Sequence, residues 1–599
     1  MTEPNPFSVT AGSGHAAPTT AAAPRANDEP VFSPQPGTRH MPPWTVAELP
    51  KPPIFAWNKL LLMVGPGLVM GGAAIGGGEW LTGPAVTARY GGALLWLATL
   101  SVLFQVIYNV EISRYTLYSG EPIFTGKFRI PPHPLFWVAI YLVLDFGSIL
   151  PYLASNAAIP LGALIRGKIP DPVTDGALLK ILGCLIFVSV FIPLCIGGKI
   201  YNSIRAIMYF KLVFVLTFLI YLAFMYSTVD TWKEIGTGFL KFGNVPVVPA
   251  EDTNENGSQD ADEAPHQNID NAFSAWFNGR SLAFDMSLVG FLASMVAISG
   301  NGGLTNTPIS SFTRDQGWGM GRHVGAIPSM VGGHAIELSH SGKVFIPTPE
   351  SRASWRGWMA HVSREQYLVW LPACFIGLAL PSMLSVQFLP RGTNLSDKWL
   401  VASMTAGSVR DVVGASWGQT FWYLTLFCGF LILASSMVTT ADGVLRRWVD
   451  VFWTAIPFVR NWDPRHIGKL YFGVLCAYML VGLAMLLLVR GDVLLTTATG
   501  MMYNYALGFS CLHTLVINTT LLPRELRPRL WQRVALVLGA CFFLTIGVLA
   551  TIAEAPKLKK EYDKLVGSAP AAAPAAPATT APDQAPTSTS PPDTSSKSR

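Results

Sequence analysis

Charge is what this chain has least of. Only 13% of its 599 residues are Asp, Glu, Lys or Arg, while 50% are hydrophobic, and its mean hydropathy is +0.38. A water-soluble fold of this length needs far more charge on its surface, so that class is excluded. Cysteine is scarce as well. Cys184, Cys195, Cys374, Cys428, Cys476, Cys511 and Cys541 all fall inside or at the ends of apolar stretches, and none forms a close pair. That spacing argues against structural zinc and a disulfide framework, and leaves packing between helices. Residues 1–50 are rich in Pro, Ala and Thr and hold no apolar run. They lack the h-region of a cleaved secretory signal and read as a flexible leader. No catalytic metal motif or nucleophile–base set stands out, so no enzyme is expected.

What the chain does have is long apolar runs of about 20 residues, the length that crosses a hydrocarbon core. Eleven spans are expected, near 60–90, 92–118, 134–158, 178–198, 203–227, 283–312, 366–390, 418–445, 467–489, 492–518 and 530–553. The fold class is therefore an all-α membrane protein. A leader (1–55) precedes a transmembrane core (56–555), and a low-complexity tail (556–599) follows. Within the core, repeat one covers 56–228, an external acidic loop 229–280, repeat two 281–520 and an eleventh helix 528–553.

The net charge of +6 comes from short loops between spans, which speaks for membrane orientation and against nucleic acid. Lys127 and Arg129, Lys199 and Arg205, Arg314 to Arg364, Arg446 to Arg465 and Arg524 to Arg533 all fall on one side. The acidic stretch Glu251–Glu263 falls on the other. The basic side is the cytoplasmic one by this rule, which puts the N-terminus in the cytoplasm and the protein in the cell (inner) membrane. Lys557, Lys559 and Lys560 go against the pattern. The acidic stretch lacks EF-hand spacing and reads as a solvated loop.

Two of the spans are broken by glycine in matching places. The first reads Gly71-Gly72-Ala73-Ala74-Ile75-Gly76-Gly77-Gly78-Glu79-Trp80, and the second Ile298-Ser299-Gly300-Asn301-Gly302-Gly303-Leu304-Thr305-Asn306-Thr307-Pro308. Each precedes four further spans. Interrupted membrane helices at corresponding positions of two repeats point to a transporter's binding site. Backbone freed from a helix at membrane depth is tolerated where it lines a cavity.

Several residues are candidates for the chemistry. Glu79 is the only carboxylate in the first break. An ionisable group there is expected to serve function, as an oxygen ligand for a cation or as a proton site; capping of the second half-helix is the alternative. Ser299, Gly300, Asn301, Thr305 and Asn306 offer hydroxyl, amide and backbone oxygens, or simply satisfy a hinge. Glu111 and Arg114 share a helix face as a gate, part of a proton path or a structural clamp. Asp145 is a proton relay or the partner of a basic residue on another helix. Asp442 and Arg446 are spaced for a pair with a gating role. His513 titrates near neutrality or packs, and Tyr503 and Asn504 are placed to face the cavity. His323, His334, His340 and His361 are spread through 313–363 as regulatory metal ligands or ordinary loop residues.

Gly65-Pro66-Gly67 and Gly76-Gly77-Gly78-Glu79-Trp80-Leu81-Thr82 resemble the opening and the break of the first helix in the natural-resistance-associated macrophage protein (Nramp) family. Leu433-Ala434-Ser435-Ser436-Met437-Val438-Thr439-Thr440-Ala441 is similar to that family's eighth helix. Leu521-Leu522-Pro523-Arg524-Glu525-Leu526-Arg527-Pro528 is similar to its loop before helix eleven, and Thr313-Arg314-Asp315-Gln316-Gly317-Trp318-Gly319-Met320-Gly321 looks like a mark of a divergent branch.

The resemblance spans roughly 55–555. It implies a leucine-transporter-type fold, with two inverted five-helix repeats and broken helices 1 and 6. It also implies proton-coupled transport of a divalent metal, with no prosthetic group and the lipid bilayer and a small ion as partners. Protein partners are left open. The family's metal-binding Asp falls on Gly76 and its Asn on Glu79. Its sixth-helix Met-Pro-His falls near Ser299-Gly300-Asn301. Without a thioether, the site suits a hard, partly hydrated divalent ion. Gly76, Gly77, Gly78, Glu79, Ser299, Gly300, Asn301 and Asn306 are the expected binding residues, and Glu111, Arg114, Asp145, Asp442 and His513 the expected proton-path or gating residues. A symporter of a small organic solute, whose carboxylate the half-helix amides would hold, or a non-transporting membrane sensor, is the alternative.

Overall fold

The computed structural model describes residues 40–56, 66–171, 174–195, 200–248, 269–286, 289–327, 337–390, 403–414, 416–488 and 492–567. Gly65, Lys199, His334, the acidic stretch 251–263, residues 1–39 and residues 568–599 lie outside the described residues. The first span forms two half-helices, α1 (Pro66–Ala74) and α2 (Gly83–Tyr90), and α3 (Trp96–Ser119) follows. Next come α4 (Pro134–Leu144), α5 (Tyr152–Arg166), α6 (Gly176–Ser189) and α7 (Ile200–Tyr226). The sixth span is again two halves, α8 (Val289–Ile298) and α9 (Pro308–Asp315). Then follow α10 (Pro349–Glu365), α11 (Leu371–Phe388), α12 (Gly418–Ala455), α13 (Ile467–Leu488), α14 (Asp492–Thr520) and α15 (Leu530–Gly567).

Two broken helices, each leading a set of helices, form the leucine-transporter-type architecture that the resemblance implied. The halves α1 and α2 pack on α7 and α11, α8 packs on α14, and α12 on α5. Large apolar side chains such as Leu185, Phe210, Leu480 and Leu538 stay exposed on the outer helices. In water that would be costly; against lipid tails it costs nothing. The chain is an integral multi-pass membrane protein.

Among the described residues, eight helical stretches are long and apolar enough to cross a membrane, against eleven expected spans. The breaks account for two of the difference, because among the described residues no half-helix of span one or six exceeds ten residues. The tenth span, α14, has the length, but Asn504, Ser510, His513 and Asn518 dilute its hydropathy. Span three also differs from expectation. It is interrupted at Asp145 and again at Pro151, and its helix runs to Arg166 rather than to 158.

The described parts of three segments expected to be irregular hold regular structure. The end of the leader packs: β1 (Thr45–Val46) pairs in parallel with β4 (Lys343–Val344). Trp44 is fully buried, its ring 4.7 Å from the Arg129 guanidinium and edge-on to Tyr118. One large aromatic outweighs the disorder-prone composition around it. The loop 229–280 contains a helix, Val229–Gly238, capped by Thr228. It also contains an antiparallel pair, β2 (Asn244–Pro246) with β3 (Ile269–Asn271). Within 313–363, α10 starts at a capping box formed by Thr348 and Ser351. The described residues up to Glu554 form one compact unit; of the second, 555–599, the described part is the last turns of α15.

Candidate functional site

The two breaks are built differently. In the second, Gly300, Gly302 and Gly303 have φ of 101°, 67° and 55°, the left-handed region that only glycine enters at low cost. In the first, glycine serves close approach instead: a Cβ on Gly78 would sit 2.9 Å from the Cβ of Ile298 at the end of α8. The chain then returns to helical geometry through a single π-turn, Gly78–Thr82, a feature frequent at functional sites.

Glu79 joins the two. Its Oε2 accepts the N–H of Gly76 at 2.9 Å and its Oε1 accepts the N–H of Gly300 at 3.1 Å. The carboxylate is fully buried, so these amides are its replacement for water. Gln105 on α3 stitches the second break. Its Oε1 accepts from the Asn306 side chain at 2.9 Å and from the Asn301 N–H at 3.3 Å. Its Nε2 donates to the Ser299 carbonyl at 2.7 Å. Gly76, Gly77, Gly78, Glu79, Ser299, Gly300, Asn301 and Asn306 thus come together around one carboxylate and one amide side chain. Gly77 lies against Tyr152. Tyr503 lies against Gly302 and Gly303, and Asn504 donates to the Ala293 carbonyl of α8 at 2.9 Å.

A second buried ionisable side chain lies beside the first break. Lys211 on α7 is fully buried, and its Nζ donates to Ser436 on α12 at 2.9 Å. Ser436 Oγ lies 3.5 Å from the carbonyl of Ile75, freed by the first break. Several buried polar atoms around the second break have no hydrogen-bond partner among the described residues: Asn301 Nδ2, Asn306 Oδ1, Gln366 Nε2 and Trp370 Nε1. The Trp370 ring lies directly against Gly300. Buried polar atoms are rarely left unpaired.

The remaining expected residues lie elsewhere. Asp145 forms a two-point ion pair with Arg447 (2.7 and 3.2 Å) and accepts from Trp448 Nε1 at 3.0 Å. Arg447 Nη1 also donates to the Leu304 carbonyl at 3.0 Å, which ties the second break to spans three and eight. Asp442 pairs with Arg446 at 2.6 Å and accepts from Tyr471 at 2.8 Å. Arg446 also bonds Asp315, and Arg314 bonds Asp450 at 2.6 Å. Glu111 and Arg114 pair at 2.8 Å. Asn518 donates to Glu111, and Arg114 to Leu526 and Gln532, so this pair clamps helix ends. His513 bonds Tyr141 at 2.6 Å and packs on Trp137, which is the packing role. His323, His340 and His361 turn to separate partners: the Glu48 carbonyl, Trp453 and Trp318.

The residues expected from the sequence do not include Gln105, Lys211, Gln366 and Trp370. Gln105 and Lys211 carry a signal, each a polar side chain flanked on both sides by apolar residues.

No family model matches the chain, and no curated protein matches it in sequence. Solved structures do resemble it. A variant of the Eremococcus coleocola manganese transporter shares 13% identity, with a TM-score of 0.55 over 88% of this chain and 92% of that one. The same transporter in complex with an aromatic bis-isothiourea substituted compound gives 14%, 0.50, 87% and 91%. At this identity the likeness is one of fold: the chain is similar in architecture to a membrane transporter.

Proposed function

We propose that the protein is an Nramp-related secondary transporter that works by alternating access, with its substrate held between the breaks at Gly76–Glu79 and Ser299–Asn306. One observation carries this reading: Glu79 bonds the freed amides of both half-helix pairs, so a group bound there meets both repeats at once. The cargo we favour is a hard divalent cation. Glu79 would supply the charge, and Asn306 Oδ1, the Asn301 side-chain amide and backbone carbonyls the neutral oxygens. Among the described residues no three His, Cys, Asp or Glu side chains are grouped as metal ligands. A cation here would therefore keep some of its water. The N-terminus is cytoplasmic on this reading, and protons are the coupling ion.

A second reading, symport of a small organic solute, has its own support. The Lys211 ammonium repels a divalent cation and would attract a carboxylate. Trp370 Nε1 has no partner among the described residues and is a donor that no cation can use.

Uptake of Mn²⁺, Mg²⁺, Fe²⁺ and Ca²⁺ into proteoliposomes, with Glu79→Gln alongside, separates the two. Uptake of one ion that falls at least tenfold in the variant supports the cation, since hydrogen bonds to a charged group contribute roughly 1.5–3 kcal/mol each. If no ion enters, the metal reading fails and the organic solute takes its place.

A further inference from the structure

A half-open cavity of about 500 Å³ lies where the end of α3, α10 and the start of α15 meet, well away from the helix breaks. Arg114, Arg352, Arg356, Arg527 and Arg529 line it, and Glu525 is the one carboxylate among its lining residues. Arg114 is neutralised by Glu111. Arg352 and Arg527 turn their Nε atoms to the carbonyls of Thr348 and Leu522. None of the four remaining guanidiniums forms an ion pair among the described residues. Four unpaired positive charges around one cavity repel one another unless an anion sits among them. Guanidinium forks match phosphate oxygens two at a time.

The position narrows the chemistry further. The membrane helix α15 opens with Leu530 and Trp531, 75% and 51% exposed, and Trp531 and Trp355 form walls of the same cavity. Exposed Leu and Trp at the start of a span mark the depth of lipid headgroups. Basic pockets between membrane helices bind anionic headgroups.

We propose that this cavity binds the phosphate group of an anion at the membrane surface, held by Arg352, Arg356, Arg527 and Arg529. The proposal is independent of the transported substrate. A phospholipid headgroup and a free phosphate anion share this chemistry, and two arms of one experiment tell them apart.

Full-length protein in neutral detergent is incubated with phosphatidylglycerol or with phosphatidylcholine, and bound lipid is counted by native mass spectrometry. In parallel, melting is followed with inorganic phosphate against chloride at equal ionic strength. The variant R356Q/R529Q removes two exposed charges and leaves no buried partner. The pair R352Q/R527Q replaces it if its melting without ligand shows misfolding.

Preferential retention of phosphatidylglycerol, weakened roughly 30-fold in the variant, establishes a lipid site. Stabilisation by phosphate that the variant loses, with no preference between the lipids, establishes a free-anion site. Equal retention of both lipids with no response to phosphate overturns the proposal. So does wild-type binding by the variant.

Discussion

The side chain of Glu79 accepts the backbone N–H of Gly300 at 3.1 Å across 221 residues of sequence, while its second oxygen holds Gly76 at 2.9 Å. Each break frees backbone amides, and in a dry interior each unpaired amide is costly. One carboxylate meets two of these demands and locks the first break to the second. Any motion that separates α8 from the first break must therefore release Glu79 or drag it along. On the proposed function, this carboxylate is the point at which cargo binding would be felt by both breaks.

Lys211→Met tests the nature of that cargo. Lys211 donates to Ser436 beside the first break, so removing its positive charge should strengthen binding of a divalent cation and lower the KM of uptake at least roughly tenfold. For an organic anion the same change should abolish uptake. An unchanged KM would show that Lys211 lies outside the field of the site.

Gln105→Leu removes the acceptor of Asn301 and Asn306 and the donor to Ser299. Each buried group left unpaired costs about 1–3 kcal/mol. A lower melting temperature in detergent and reduced uptake are expected, whereas Ser101→Ala, which removes only a neighbouring hydroxyl, should be milder. Equal effects of the two changes would mean that Gln105 does not organise the break.

Asp145→Asn leaves the buried Arg447 without its counter-charge. Breaking such a pair from one side costs roughly 3–5 kcal/mol, seen as a lowered denaturation midpoint. The double variant with Arg447→Gln should recover part of that loss. A double variant as unstable as the sum of the two single changes would remove the coupling between spans three and eight.

Glu121, in the loop after α3, gives a pH dependence. Burial alone would favour its neutral form, but the Arg129 guanidinium at 2.5 Å outweighs that and holds the carboxyl below its ordinary value of 4.5. A carboxyl whose pKa is depressed by folding stabilises the fold at pH above the unfolded value. That contribution fades as pH falls below about 4.5 toward the folded value. Melting curves should therefore decline on the acid side, and Glu121→Gln should flatten that limb while lowering stability at neutral pH. An unaltered acid limb in the variant would assign the acid sensitivity elsewhere.

Much of the site is legible in the sequence. The glycine clusters at 76–78 and 300–303 stand out because helices exclude glycine unless the backbone must bend or approach closely, and Glu79 because a carboxylate amid apolar residues needs partners. The pairs Glu111–Arg114 and Asp442–Arg446 follow from helical spacing, and the structure forms both. The third span reads as continuous because hydropathy does not register an interruption: Asp145 stops the helix while its neighbours remain apolar. Trp44 is hidden for the opposite reason, being one aromatic in a stretch whose average composition reads as disordered.

Sequence alone determined that the chain lives in a membrane and which two crossings are broken by glycine. Those properties depend on residues close together along the chain, and lipid reads them locally. The tertiary structure decided who meets whom. It set Lys211 on Ser436 beside the first break, Gln105 on the second, Asp145 on Arg447 and Glu79 on Gly300. Each of these contacts joins residues from different helices. A buried polar group in sequence announces only that it needs a partner, and the packing of the helices supplies it.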